Sequence, residues 1–344
     1  MGRKMKYERI TSPDKLEQVN PFNKQLQDEF LTYLQSVQRS PRTIAGYEND
    51  LSIFWVYVLE RAGNKKFNEL TKRDFIGLQN WLINEHGNSP ARVRRIKAAI
   101  SSMSNYIERI LDDEPEFQNF KPAIKKVENP VLQPVREKTV WEDDELEKLL
   151  DSLSETGQHK RACAVALAMC SGRRKAELPR FRVCDFAEEN LVCGGALYKT
   201  SEPIKTKGFG MGKFIHCYTL AKKFKPYFDA WMKEREELGI ESEWLLPDGV
   251  DYTQPIKISA LNHWADLFTS MTGRPFYWHA LRHYFTTDLS KAGLPDGVIQ
   301  SIIGWQSADM VAVYKDISAE DQIAQYFDAD GNIKAGAQKS LADL

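Results

Sequence analysis

The chain has 344 residues, is 42% hydrophobic and 28% charged, and carries a formal net charge of −1. That composition can bury cores, fits a soluble globular protein and suggests about two domains of roughly 100–200 residues each. No apolar run approaches the roughly 18 residues a bilayer span needs, so no membrane-spanning helix is expected.

Residues 1–20 read as an N-terminal tail. Met1 to Arg9 is basic but has no apolar stretch behind it, so no secretory signal is expected. Residues 21–111 read as a helical domain. A first helix is expected near Phe22–Gln38. Ser40-Pro41 looks like an N-cap followed by proline in the first turn, with Ile44, Tyr47, Leu51, Phe54, Trp55 and Val58 at helical spacing behind it. Thr71 starts the next helix, with Phe75, Leu78, Trp81 and Leu82 on one face and Gly87 near its end. Ser89-Pro90 starts the last, with Val93, Ile96, Ile100, Ile107 and Ile110 inward. Its other face carries Arg92, Arg94, Arg95 and Lys97 with no acid among them. The net charge hides this distribution. Residues 61–110 hold 10 Lys/Arg against 4 Asp/Glu. Phosphate contact requires local positive charge, not a basic whole chain, so the four cations are candidates for DNA binding.

Residues 112–140 read as a linker. Pro115, Pro122, Pro130 and Pro134 disfavour helix and stiffen a tether. Beyond it, helices are expected around Glu142–Leu153 and Arg161–Cys170. Leu191–Tyr198 and Phe214–Leu220 have strand character, and the pattern is helical again from Ile258. The fold class is therefore mostly α with a small antiparallel β-sheet. The five cysteines form no CxxC pair, and their odd number argues against a disulfide framework, so they read as reduced cytosolic thiols.

Four local features in this second half could carry chemistry, although each alone is an ordinary surface or core feature. Ser171-Gly172-Arg173-Arg174-Lys175-Ala176-Glu177-Leu178 comes just after an apolar helix. An arginine there, oriented by Glu177, suits bidentate capture of a phosphate. Lys205-Thr206-Lys207-Gly208-Phe209-Gly210-Met211-Gly212-Lys213 makes a basic hairpin tip. It lacks the P-loop spacing. His279 and Arg282 in His279-Ala280-Leu281-Arg282 share one helix face and offer an imidazole and a fixed cation to one anion. In the last, Gly304-Trp305-Gln306-Ser307 precedes Val311-Ala312-Val313-Tyr314-Lys315, and Ser307 can cap a short helix that carries Tyr314.

Taken together and in this order, the set resembles the tyrosine recombinase (phage integrase) family. SGRRKAEL is similar to its first arginine box, HALRHYFTTDLSKAG to its second, and IIGWQSADMVAVYKDIS to its nucleophile segment. Two departures stand out. Arg173 and Lys175 occupy positions that are usually apolar, and Trp305 stands where many members have histidine. The resemblance makes the helical half a DNA core-binding domain and residues 141–327 a mixed α/β catalytic domain, with a tail over 328–344.

The resemblance also implies the chemistry. Tyr314 attacks the scissile phosphate to give a 3′-phosphotyrosine, and Arg174 and Arg282 hold the non-bridging oxygens. Lys207 protonates the leaving 5′ oxygen; Lys205 is the alternative, and the distance to the next strand favours Lys207. His279 assists proton transfer, Trp305 buttresses the phosphate, and Glu177 orients Arg174. Neither metal nor ATP is expected, since cations do the electrostatic work and the phosphotyrosine retains the bond energy. No cofactor is implied. The implied partner is double-stranded DNA bearing specific recombination sites, acted on by a homo-tetramer on paired sites. The expected location is cytoplasmic and nucleoid-associated. A relaxing topoisomerase of type IB and a non-catalytic DNA-binding protein are the alternatives. Ile323 to Phe327 could dock on a neighbouring protomer or fold back on its own chain.

Overall fold

Four helices of the first half start with the same chemistry. Ser12, Asn20, Ser40 and Ser89 stand just before prolines 13, 21, 41 and 90, and each side chain accepts a backbone N–H from the first turn. Proline fits there because its missing N–H would have no intrahelical partner anyway. In the computed structural model of the chain, residues 10–132, 140–206, 213–305, 307 and 309–314 are described, without the side chains of 312 and 314. These residues fall into two compact units, divided between 132 and 140.

The first unit holds α1 (Pro13–Glu17), α2 (Pro21–Ser36), α3 (Pro41–Arg61), α4 (Lys72–Asn80) and α5 (Pro90–Ile110). A wider π-type turn, Trp81–Glu85, continues α4 and ends at Gly87, whose φ is +60°. Leu51, Phe54, Val58, Leu78, Leu82, Ile96 and Ile100 are fully buried, on the faces that the periodicity predicts. Ile110, the last residue of α5, departs from the expectation at 47% exposed, and the next residue, Leu111, turns inward in its place. Residues 10–20 also depart from a plain tail, for they form α1 and bury Val19.

The stretch read as a tether also packs onto this unit as far as Pro130. Phe117 and Ile124 are buried in its core, and a short 3-10 turn spans Ala123–Lys126. Lys97 donates to Val127 O and Glu128 O, both at 2.8 Å, and Arg94 donates to Pro130 O at 2.9 Å. The prolines block helix, but they do not prevent an irregular segment from seating its apolar side chains.

The second unit begins with α6 (Asp143–Glu155) and α7 (His159–Ser171). Every residue of α7 from Ala162 to Ser171 is buried. Four alanines among them let α6, α8 and α10 approach it closely. Next come β1 (Leu191–Val192), β2 (Leu197–Lys199), β3 (Ile204–Thr206), β4 (Lys213–Ile215) and β5 (Tyr218–Leu220). They make two antiparallel sheets, one of order β1-β2-β5 and the other pairing β3 with β4. Each of the two expected strands is thus divided in two. Cys193, Gly194 and Gly195, all at positive φ, turn the chain between β1 and β2. The helices α8 (Ala221–Glu237), α9 (Ile258–Thr272), α10 (Trp278–Lys291), α11 (Asp296–Ile303) and α12 (Asp309–Tyr314) complete the unit. The sequence pattern does not reveal α8. Phe224, Trp231 and Arg235 lie on its buried face, but Pro226 and the surrounding lysines disguise the period.

Among the described residues no helix is long and apolar enough to cross a membrane. Their five cysteines are unpaired, with Cys163, Cys170 and Cys217 buried.

Candidate active site

Gly172 ends α7 in the left-handed conformation, at φ +59°. A Cβ there would lie 2.4 Å from Phe285 of α10, so only glycine lets the two elements meet this closely. Arg282 of α10 locks the junction by donating to Gly172 O at 2.9 Å. The chain then turns at once through Arg173 and Arg174. In this way the first arginine box is set against the second, 110 residues later in sequence.

Arg174 keeps about a third of its side chain exposed, and its NH1 lies 3.3 Å from Glu177 Oε1. Glu177, 3% exposed, also accepts the backbone N–H of Arg174 through Oε2 at 3.0 Å. This carboxylate therefore fixes both ends of the arginine, as expected from their spacing. Arg282 is 1% exposed, and its guanidinium carbon lies 4.9 Å from the ring centroid of Trp305. Such cation–π contacts orient a buried guanidinium without neutralising it.

His279 stands in the first turn of α10, with His283 edge-on to it at 5.5 Å between ring centroids. Its pKa is pushed down to about 4, first by desolvation, then by the neighbouring His283, Arg282 and Arg174. The ring nevertheless reaches solvent on one side. Arg174, His279 and Arg282 thus share one electropositive neighbourhood, with Trp305 against its buried edge.

α12 packs on α10 and α11 with Val311 fully buried. Ser307 starts it, its Oγ accepting the backbone N–H of Asp309 at 3.2 Å, as the sequence suggested. Tyr314 is the last residue of α12, and its side chain lies outside the described residues. So do Lys207, Gln306 and the segment Ile323 to Phe327. Lys205 lies on β3 between buried Ile204 and Thr206 and faces outward. Its backbone carbonyl accepts Arg180 NH1 at 2.8 Å.

Two residues to which the sequence assigned no role adjoin this neighbourhood. Lys213 of β4 reaches Gly304 O at 3.4 Å. With Lys199, His216, Gln300, Ser301 and Trp305 it lines a cavity of about 460 Å³. Arg173, which stands at a usually apolar position of the box, is buried, and all three of its guanidinium nitrogens have partners. The run of two arginines after a glycine was the available signal, but nothing local tells which of the two turns inward. Among the described residues no group of three or more His, Cys, Asp or Glu side chains is placed to hold a metal.

The four cations of α5 do not form an open stripe. Asp50 of α3, completely buried, pairs with Arg92 and lies 3.0 Å from Arg95 Nε. Lys97 is 4% exposed, donates to Gln79 and two backbone carbonyls, and has its pKa lowered by burial and then by Arg94. It is a structural clip, so its expected role in DNA contact is corrected. Arg95 is the most exposed of the three ion-pair or carbonyl-bonded arginines, with 62% of its side chain open.

Residues 140–321 match the profile of the phage integrase family. The chain belongs to that family, the tyrosine recombinases, which are DNA strand transferases. It is 28% identical over 263 residues to the SPbeta prophage-derived recombinase-like protein YomM of Bacillus subtilis strain 168, covering 74% of this chain and 73% of that one. It is 23% identical over 314 residues to the tyrosine recombinase XerC of Caldanaerobacter subterraneus subsp. tengcongensis, covering 83% and 81%. In fold it is similar to the XerH site-specific recombinase bound to palindromic difH substrate, with TM-score 0.62, 19% identity and coverage of 88% and 83%. It is also similar to a lambda integrase dimer on a COC′ core site, with TM-score 0.62, 15% identity and coverage of 85% and 77%.

Proposed function

We propose that the chain cleaves and rejoins double-stranded DNA at specific sites, with Tyr314 as the nucleophile. The reading is carried by the convergence of Arg174, His279 and Arg282, drawn from two sequence boxes, beside Trp305 and the helix that ends at Tyr314. The phenol oxygen of Tyr314 forms a bond to the scissile phosphorus, and the bond to the 5′ oxygen breaks. Arg174 and Arg282 stabilise the extra negative charge on the non-bridging oxygens. His279, neutral at pH 7, accepts the phenol proton, and Lys207 gives a proton to the leaving oxygen, with Lys205 the alternative. The phosphotyrosine then exchanges to a second 5′ hydroxyl without loss of bond energy, so neither metal nor ATP is required. Strand exchange between two duplexes calls for four protomers on paired sites, in a cytoplasmic, nucleoid-bound assembly. A relaxing topoisomerase and a non-catalytic binder are not favoured, since the relatives' names are those of recombinases.

The test is a nicked suicide substrate, in which the freed strand end diffuses away and traps the adduct. Wild type is expected to become covalently attached to DNA, and Tyr314→Phe to give none. An adduct on the Phe variant would remove Tyr314 from its role.

A further inference from the structure

Arg173 stands beside the phosphate-binding arginine but is 1% exposed and faces the other way. Its Nε donates to Ser171 O at 3.1 Å, its NH2 donates to Ile302 O at 2.8 Å, and its NH1 lies 3.4 Å from Cys217 Sγ. These partners belong to three different segments. Ser171 ends α7, Cys217 lies between β4 and β5, and Ile302 is in the last turn of α11. A buried cation is costly unless other groups compensate it. Ile302 O is one of the last carbonyls of α11, which have no partner within the helix and lie at its negative end.

The bond to Ile302 O matters because of the segment it anchors. Gly304 reverses the chain at φ +75°, Trp305 comes next with its ring against Arg282, and α12 begins four residues later. We infer that Arg173 is a positioning residue, holding the end of α11 so that Trp305 stands against Arg282 and α12, which carries Tyr314, packs on α10. This rests on the recombinase chemistry proposed above. The apolar residue usual at this position of the box would fill the volume but leave Ile302 O without its donor.

The experiment compares wild type, Arg173→Leu and Arg173→Lys on the nicked suicide substrate at saturating protein. Single-turnover adduct formation, DNA affinity and melting temperature are measured for each. Arg173→Leu should bind DNA as wild type does but cleave about 10²-fold more slowly, the cost of a misplaced reacting group. Arg173→Lys should recover part of the rate, since an ammonium can still reach Ile302 O. A second substrate carries sulfur in place of the leaving 5′ oxygen. A thiolate departs without a proton, so this substrate rescues loss of the general acid but not a displaced nucleophile. The Leu variant should remain slow on it.

Wild-type cleavage by Arg173→Leu overturns the inference. So does full rescue by sulfur, which would assign the effect to the lysine hairpin. Parallel loss of melting temperature, binding and cleavage with no recovery in Arg173→Lys overturns it too. If the Leu variant does not fold, Arg173→Lys is compared with wild type directly: a slowed, sulfur-insensitive rate supports the inference and a wild-type rate sinks it. Failure of wild type itself to form an adduct would count against the proposed function, a result distinct from all of these.

Discussion

The imidazole of His279 lies among three cationic or basic neighbours, and this sets how it titrates. Its pKa falls from 6.5 in the unfolded chain to about 4 in the folded one. Between those values the unfolded state binds more protons, so stability should fall as pH drops from 6.5 towards 4 and level off below. Because the ring is partly exposed, solvent screening keeps this effect below what the full shift would give. Melting curves of wild type and His279→Gln across this window test it. The Gln variant should lose less stability on acidification, and equal slopes would mean the ring is not depressed. Single residues were legible in the sequence where a motif fixed them. Arg174 lies beside Glu177, Arg282 beside Trp305, and His279 feels the charge of both arginines. Lys97 was misread because its acceptors, Val127 O and Glu128 O, come from a proline-bearing segment whose path no local pattern predicts. Asp50 was invisible because its partners, Arg92 and Arg95, lie more than 40 residues away on another helix.

Close approach of backbone to side chain governs the elements of the candidate active site. Gly304 sits at φ +75°, and a Cβ there would lie 2.4 Å from Ile215 Cδ1 of β4. Gly304→Ala should therefore cost about 1–2 kcal/mol from the left-handed backbone alone, with a further steric cost where the hairpin is pressed. Adding Ile215→Ala should relieve the steric part and leave the backbone part. Thermal melting of the single and double variants measures both, and a single variant as stable as wild type would contradict the contact. Capped helix starts at Ser40 and Ser89 were readable because the cap is local. The strands were not, for β1 and β2 form a hairpin inside what reads as one apolar run. α8 escaped because Pro226 interrupts a period that only burial of Phe224 and Trp231 reveals.

Across the whole molecule, charge is distributed rather than concentrated. The formal net charge is −1, yet residues 61–110 carry 10 basic and 4 acidic side chains. Asp50 and the carbonyls beyond Val127 engage part of that excess. If exposed Arg95 meets a DNA phosphate, Arg95→Gln should weaken binding to all sequences and lower the slope of log affinity against log salt by about 1. Lys97→Met should leave that slope unchanged while lowering stability, since it strips two part-buried carbonyls of their donor. A salt titration of DNA binding for both variants decides it. A slope unchanged in Arg95→Gln would take Arg95 out of the interface, and a slope lowered in Lys97→Met would return Lys97 to it.

The sequence by itself determined the helical first half, the mixed second half and the motifs that mark the family. Those properties are local, written in periodicity, caps and short motifs whose members lie within a few residues of each other. The tertiary structure decided which of two adjacent arginines turns inward, which cations are engaged by distant groups, and where the proline-rich stretch lies. Each of those depends on a partner 30 to 129 residues away in sequence. A contact of that kind exists only after the backbone has closed around it.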